Sequence, residues 1–190
     1  MLKVNRFQCN PIIHLESGND IGGNINGPSL IKVPDWLQNP LGRYYLYFAH
    51  HKGTYIRLAY SDRLSGPWKI HPAGTLHLKD SYYKNHIASP DVHVDNSNKQ
   101  IRMYYHGVEI DGSCATGSAP NGQSSKVSLS PDGINFTALP ETLGHPYLRV
   151  FEWSNYFYAI GMPGVIYRSK DGLSKFEMGP TLFNKDMRHC

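Results

Sequence analysis

Histidine stands out among the residues of this chain that could do chemistry. There are 10 histidines in 190 residues. Seven of them fall beside short apolar runs, where a strand would begin, turn or line a centre: His50, His51, His86, His93, His106, His145 and His189. An imidazole titrates near neutral pH and can move a proton, bind a metal ion or hold a polar ligand. The pattern predicts a histidine-rich polar site assembled from distant parts of the chain.

Three stretches share one pattern that could supply the elements for such a site. Each has four short runs rich in aromatic and β-branched residues, separated by turn residues, and each opens near a proline: Pro28, Pro90 and Pro146. Repeats of four strands are typical of β-propeller blades. We therefore predict one all-β propeller domain over residues 1–190, with blades at about 24–78, 85–142 and 143–184. A β-sandwich with similar hairpins is the alternative.

Propeller topology predicts which residues share a face. The innermost strand of a blade starts at one face, the second strand returns to it and the third leaves it again. Inner-strand starts and second loops should therefore meet, which brings together Asn26, His50, His86, His106 and His145. The repeated turns that contain Asp62, Asp132 and Asp171 should lie elsewhere, and we interpret these aspartates as structural.

Composition excludes several classes of protein. Aromatic residues are abundant, with 13 Tyr, 7 Phe and 3 Trp, and the net charge is only +4, which argues against a disordered chain. No apolar run is long enough to span a bilayer and no Lys/Arg block indicates nucleic-acid binding. No signal peptide is visible, and three scattered cysteines favour a reducing compartment. We therefore expect a cytoplasmic protein with no membrane or nucleic-acid partner.

Several motifs resemble the five-bladed propeller enzymes of glycoside hydrolase family 43, the relatives of arabinanases and xylosidases. The run from Ile56 to Trp68, ending in Gly-Pro-Trp, resembles a second-hairpin signature of that family. Asn10-Pro11-Ile12-Ile13 resembles its N-terminal start, and the run from Ser89 to Asp95 resembles an inner strand. The resemblance covers residues 10–183 and implies about three of five blades. It also implies hydrolysis of glycosidic bonds in a poly- or oligosaccharide.

The chain departs from that family where its carboxylates are expected. The resemblance places acidic residues before the prolines of the first two blades, but Gly27 and Ser89 occupy these positions. The family's general acid is the Glu of a Glu-Gly-Pro motif, and Gly144-His145-Pro146 takes that place here. The fold implied by the resemblance is therefore better supported than its chemistry.

We assign the remaining candidates with this departure in mind. His145 is the candidate general acid, and Asp91 is the candidate base or pKa modulator, with Glu109 as another possible base. An inverting acid/base pair would need about 6.5–9.5 Å between its groups. Substrate contacts are expected from a further set: Asn26, His50, His86, His106, Tyr147 and Arg149. Tyr105 and Trp36 are further candidates for stacking on a sugar.

Each candidate also has a structural interpretation. His145 could cap a strand, Asp91 could bond local backbone, and the loop at His50 could be merely solvated. Arg149 alternates with Tyr147, so both should face one side of a strand. If that side is the central channel, Arg149 suits a carboxylate or sulfate of the substrate, and otherwise it is a buried ion-pair partner.

Three functional hypotheses follow from these residues. The first is a glycoside hydrolase that needs no cofactor or bound metal. The second is a non-catalytic carbohydrate-binding propeller, because the standard carboxylates are absent. The third, a metal-dependent site, would use the central histidines. Because three blades cannot close a ring, we expect a fragment, or an assembly completed by missing blades or by self-association.

Overall fold

The computed structural model describes residues 3–18, 21–108, 122–174 and 176–183. They form three antiparallel four-stranded sheets, each in chain order. The strands of blade one are β1 (Asn26–Lys32), β2 (Tyr44–Ala49), β3 (Arg57–Ser61) and β4 (Lys69–His71). Those of blade two are β5 (Ile87–Asp95), β6 (Gln100–Val108), β7 (Gln123–Ser130) and β8 (Thr137–Ala138). Those of blade three are β9 (Arg149–Trp153), β10 (Tyr156–Gly161), β11 (Val165–Ser169) and β12 (Glu177–Thr181).

This architecture confirms the predicted all-β class and the propeller fold with three blades. A short 3-10 helix, Leu78–Asp80, follows blade one. Among the described residues, no helix is long and apolar enough to cross a membrane.

The blades stack because both faces of their middle strands are apolar. In β2, Tyr45 and Tyr47 point toward blade two and join one core cluster, in which Met103 of β6 takes part. Leu46 and Phe48 alternate with them and pack under the N-terminal segment instead. A strand buried on both faces loses the polar alternation of a half-buried strand. The same arrangement between blades two and three forms a second cluster.

Tyrosine hydroxyls bind each blade to the turn of the next one. The Tyr47 hydroxyl donates to the Gly133 carbonyl oxygen at 2.8 Å. The Tyr104 hydroxyl, at the corresponding place in blade two, donates to the Gly172 carbonyl oxygen, also at 2.8 Å. Both glycines adopt a positive φ of 71°. The repeated turns are thus part of the contact between blades.

Aspartate side chains hold these turns together. Oδ1 of Asp171 accepts the backbone N–H groups of Leu173 and Ser174 at 2.8 and 2.9 Å. Asp132 makes the equivalent bonds in blade two. In the described part of blade one, by contrast, Asp62 accepts one backbone N–H, that of Arg43, at 3.3 Å. The structural interpretation of these aspartates agrees with this geometry.

Backbone N–H groups of one innermost strand donate to side chains of the preceding one, which joins β1 to β5 and β5 to β9. Ser29 Oγ accepts the Val92 N–H at 2.9 Å, which ties blade one to blade two. Asp91 Oδ2 accepts the Val150 N–H at 2.8 Å, which ties blade two to blade three. Ser29 and Asp91 occupy equivalent positions, since each is the first paired residue after a bulge in its strand.

Arg102 of β6 binds the inner strand of its own blade and also contacts blade three. Its Nε and Nη2 donate to Asp95 Oδ2, its Nη1 donates to the Asp171 carbonyl oxygen, and its guanidinium lies 4.9 Å from the Phe157 ring centroid. The side chains of Arg102 and Asp95 are only 7% and 10% exposed. Hydrogen bonds from Asn98 and Arg102 to Asp95 hold the pKa of that carboxyl well below its usual range.

We expect Arg102→Ala to destabilise the protein by about 3–5 kcal/mol, because it leaves the buried Asp95 carboxylate without its positively charged partner. Arg168→Ala is the control, since Arg168 pairs with Glu177 at 2.9 Å with side chains 49% and 71% exposed. Its cost should stay below about 1 kcal/mol. Urea denaturation followed by tryptophan fluorescence measures both. Equal losses would contradict the assigned role of Arg102.

The turn at Asp171 should make stability depend on acid. Backbone hydrogen bonds from Leu173 and Ser174 lower the pKa of Asp171 from 3.8 to about 2. A depressed folded-state pKa means that the stabilisation is complete above the unfolded pKa and is lost as pH falls through the folded one. The stability difference between wild type and Asp171→Asn should therefore be full at pH 5 and shrink toward pH 2. Thermal midpoints of both proteins at several pH values measure this difference. A difference that stays constant with pH would contradict the stabilising role of the ionised Asp171 side chain.

Candidate functional site

One end of the three blades collects the residues predicted to share a face. Antiparallel pairing sets the start of β1 beside the end of β2, with Asn26 opposite Ala49. In blade two, Ile87 at the start of β5 pairs with Gly107 near the end of β6. The turns around Asp132 and Asp171 lie after β7 and β11, at the opposite end. The structure therefore brings the starts of the inner strands and the second loops together.

A residue in the left-handed region lies at or near the start of each inner strand. These residues are Gly27, Ser89 and Tyr147, with φ of 59°, 51° and 63°. In β1 and β5 the left-handed residue sits in a bulge, where the register shifts between Asn26 and Ser29 and between Ala88 and Asp91.

Blade three carries the equivalent residue two positions later than its proline suggests. Arg149 pairs with Ile160, and the Met162 N–H donates to the Pro146 carbonyl oxygen. Tyr147 therefore corresponds to Gly27 and Ser89, and Leu148, not Pro146, corresponds to Pro28 and Pro90. Aligning the three blades on their prolines misplaces the third by two residues, because Pro146 precedes the left-handed residue instead of following it.

A cavity of about 340 Å³ lies between these three openings, and we call it the axial cavity. It is lined by residues from all three blades: Asn26, Gly27, His51, Ser89, Tyr147, Arg149 and Met162. Asn26, Tyr147 and Arg149 were predicted from the sequence to contact a ligand. A larger, mostly apolar groove of about 810 Å³ is lined only by blade one and the N-terminal segment.

Asn24 fixes the blade-one side of the axial cavity. Its side-chain oxygen accepts from the Asn26 side-chain amide at 2.9 Å and from the His51 N–H at 3.0 Å. His50, the predicted contact, is half-buried, and its Nδ1 accepts the Lys52 N–H at 3.0 Å. The neighbouring His51 lines the cavity in its place.

His106 and His86 lie behind Tyr147 and do not line the axial cavity. His106 is 1% exposed, and its ring centroid is 4.0 Å from that of Tyr147. The His86 ring stands edge-on to His106 at 5.8 Å. Burial, together with the nearby charges of His51 and Lys52, lowers the pKa of His86. The structure therefore places His106 as a support for Tyr147.

His145 lies beside the axial cavity and is anchored at three atoms. Its ring Nδ1 lies 3.1 Å from the Met162 carbonyl oxygen. Its backbone N–H donates to the Tyr167 hydroxyl, and its backbone carbonyl oxygen accepts from Ser125 Oγ. Since a carbonyl oxygen only accepts, Nδ1 carries the proton. Nε2 is then the nitrogen without a proton in the neutral ring. Met162, which binds the ring, lines the cavity itself.

Asp91 is held between blades two and three. Besides the Val150 N–H, its Oδ2 interacts with His93 Nε2 at 3.0 Å. Its Oδ1 stands 3.8 Å from Arg149 Nη1, and its side chain is 15% exposed. Asp91 does not line the axial cavity but contacts a residue that does.

Other sequence candidates fall away from the cavity. Tyr105 is buried, with its hydroxyl donating to the Ser81 carbonyl oxygen. Trp36 follows β1 at the opposite end of the blade, where it donates to Asn96 Oδ1. Glu109 and His189 lie outside the described residues. Within the described ranges, no three His, Cys, Asp or Glu side chains come together in a way that could hold a metal ion.

Comparisons with known proteins bear on the fold. No family model matches the chain. The chain is 37% identical to the uncharacterized protein R118 of Acanthamoeba polyphaga mimivirus over an alignment of 203 residues. This alignment covers 95% of this chain and 54% of that protein. The chain thus spans about half the length of this curated relative.

Solved structures with the same fold are propeller glycoside hydrolases. They include an α-L-arabinofuranosidase of Clostridium thermocellum, with TM-score 0.59 and 18% identity over 85% of this chain and 52% of that one. An arabinoxylan arabinofuranohydrolase of family 43 from Bacillus subtilis gives 0.56 and 14%, over 80% and 35%. A family 117 enzyme of Zobellia galactanivorans gives 0.53 and 17%, over 73% and 42%. These likenesses show a fold similar to that of family 43.

The close approach at Gly27 yields a stability prediction. A β-carbon there would lie 2.8 Å from Ser89 Cα, and φ is positive. Gly27→Ala should therefore cost about 2 kcal/mol or more, from backbone strain and from displacement of blade two. Gly23→Ala is the control, because its β-carbon would meet nothing within 4 Å. It should shift stability by less than about 1 kcal/mol in either direction. Chemical denaturation measures both, and a neutral Gly27→Ala would contradict the contact.

Proposed function

We propose that the protein binds carbohydrate in the axial cavity and hydrolyses glycosidic bonds there, with His145 as general acid. The observation that carries the proposal is the convergence of three blades on one cavity. Asn26 of blade one, Ser89 of blade two, and Tyr147 and Arg149 of blade three line it together. Amide, phenol and guanidinium groups around a concave surface suit the hydroxyl groups and faces of a sugar. The fold shared with glycoside hydrolases supports the same proposal.

The ring geometry of His145 supports its assignment as the general acid. The bond from Nδ1 to Met162 fixes both the tautomer and the ring orientation. Nε2 is the atom that would deliver a proton to the leaving oxygen. An imidazole does this near neutral pH, where a normal carboxyl group would already be ionised.

Asp91 is the proposed base or pKa modulator. Its Oδ2 is engaged by Val150 and His93, whereas Oδ1 faces the Arg149 guanidinium at 3.8 Å. These contacts favour the modulator role, in which the carboxylate acts on the cavity through Arg149.

A second candidate is a carbohydrate-binding propeller without hydrolysis. Among the described residues, no Asp or Glu lines the axial cavity. Gly27 and Ser89 line it at the positions where the family resemblance places acidic residues. Such a protein would use the same side chains to bind a sugar and would leave the glycosidic bond intact.

The proposal includes completion of the ring by further blades or a second copy. The outer face of blade one exposes Leu30, which is 48% accessible, and blade three exposes Trp153, which is 68% accessible. Apolar side chains on both outer faces suit packing against another blade.

His145→Gln tests the catalytic proposal. Against a panel of aryl glycosides and oligosaccharides, we expect turnover to fall by about 10²–10⁴-fold, the contribution usual for a general acid. His77→Gln is the control, because His77 bonds to the Ala73 carbonyl oxygen away from the cavity. Asp91→Asn can still accept the Val150 N–H and should lower turnover without unfolding the chain.

The outcomes separate the candidates. Turnover unchanged in His145→Gln would refute its role as the acid. Saturable binding of a saccharide by the wild-type chain, with no turnover of that saccharide, would establish the second candidate instead.

A further inference from the structure

The described lining of the axial cavity carries positive charge and no carboxylate. Arg149 supplies a guanidinium and His51 an imidazole, while the remaining lining residues are neutral. A guanidinium group recognises planar anions well, because its donors can bind two oxygens at once. The charge of this surface therefore bears on the class of sugar that it takes.

Arg149 is positioned by backbone oxygens of blade two. Its Nη1 donates to the Pro90 carbonyl oxygen at 3.1 Å and approaches that of Ser89 at 3.5 Å. In the described part of the chain these bonds use Nη1 alone, although a guanidinium has donors on Nε and Nη2 as well. The side chain is 38% exposed, so the group is oriented by the protein and still reaches solvent.

Asp91 compensates the charge of Arg149 only in part. Its nearer oxygen stands 3.8 Å from Nη1, beyond hydrogen-bond distance, and its other oxygen already accepts from Val150. An anion within hydrogen-bond distance of Nε and Nη2 would form shorter and stronger bonds than Asp91 does.

Blade one adds to the positive potential. His51 lines the cavity, and Lys52 follows it in the same loop. Burial is the main reason that the pKa of His86 is lowered, and the charges of His51 and Lys52 lower it further. The field that disfavours a proton on His86 favours an anion in the neighbouring space.

We propose that the ligand of the axial cavity is an acidic sugar, whose carboxylate or sulfate group binds Arg149 beside His51. This inference rests on the proposed function and narrows its substrate class. A uronate and a sulfate ester both present anionic oxygens that the paired donors of a guanidinium can bind. A neutral pentose or hexose offers no such group.

The test is binding of the full 190-residue chain to a panel of oligosaccharides in which each neutral member has a uronate and a 6-sulfated counterpart. We expect a charged member to bind at least about 10-fold more tightly than its neutral counterpart, with an affinity that falls as salt rises. Preference for the uronate or for the sulfate identifies the source of the anion.

Arg149→Gln should remove that preference, and Arg149→Lys should restore only part of it, because lysine lacks the paired donors. Arg63→Gln is the matched control, since it removes the same charge from an exposed residue at the opposite end of blade one. Thermal unfolding verifies that each variant is folded. If Arg149→Gln does not fold, the preference for charged members is measured in His51→Gln instead, because His51 is exposed.

Two results would overturn the inference, and they differ in what else they affect. Neutral and charged members bound equally, with Arg149→Gln unchanged, would refute the acidic substrate and leave the proposed function intact. Binding of no member of the panel would count against both.

Discussion

The relative position of the blades depends on how the free edge of each innermost strand is satisfied. Among the described strands, hydrogen-bonded ladders run within each sheet, and β1, β5 and β9 do not pair with one another. The Val92 and Val150 amides instead donate to Ser29 Oγ at 2.9 Å and Asp91 Oδ2 at 2.8 Å, one blade back. A buried amide without an acceptor is costly, so these two side chains set the register between blades.

This constraint also shapes the chemistry of the site. Asp91 follows Pro90 and the left-handed Ser89, so the group that ties blade three to blade two stands next to the cavity lining. A carboxylate that accepts a backbone amide cannot swing into the cavity without releasing that amide. Arg149, 3.8 Å from Asp91 and bound to Pro90, is therefore the cavity residue that Asp91 contacts.

The sequence predicts those parts of the fold that depend on local signals. Apolar runs and Asp-Gly turns predict the four-stranded repeat. The start of the first inner strand predicts Asn26 as a cavity residue, and alternation along the third predicts that Tyr147 and Arg149 share one side, where both line the cavity. Contacts between blades are harder to predict from the sequence, because they depend on the register of the strands. Pro146 imitates the prolines of the other blades but precedes the left-handed residue, and this hides the correspondence of Tyr147 with Gly27. The burial of His106 depends on Tyr147 crossing over it, which no local pattern encodes.

The lack of acidic residues in the described cavity lining is a property of the packing rather than of single positions. A β-carbon on Gly27 would lie 2.8 Å from Ser89 Cα, so the space that an acidic side chain at 27 would need is filled by blade two. Blade two can come this close because residue 27 has no side chain and a positive φ. The groups left to act on a ligand are then polar or aromatic: the Arg149 guanidinium, the His51 imidazole, the Asn26 amide and the Tyr147 ring. Their chemistry, and not that of a carboxylate pair, determines what the cavity can recognise.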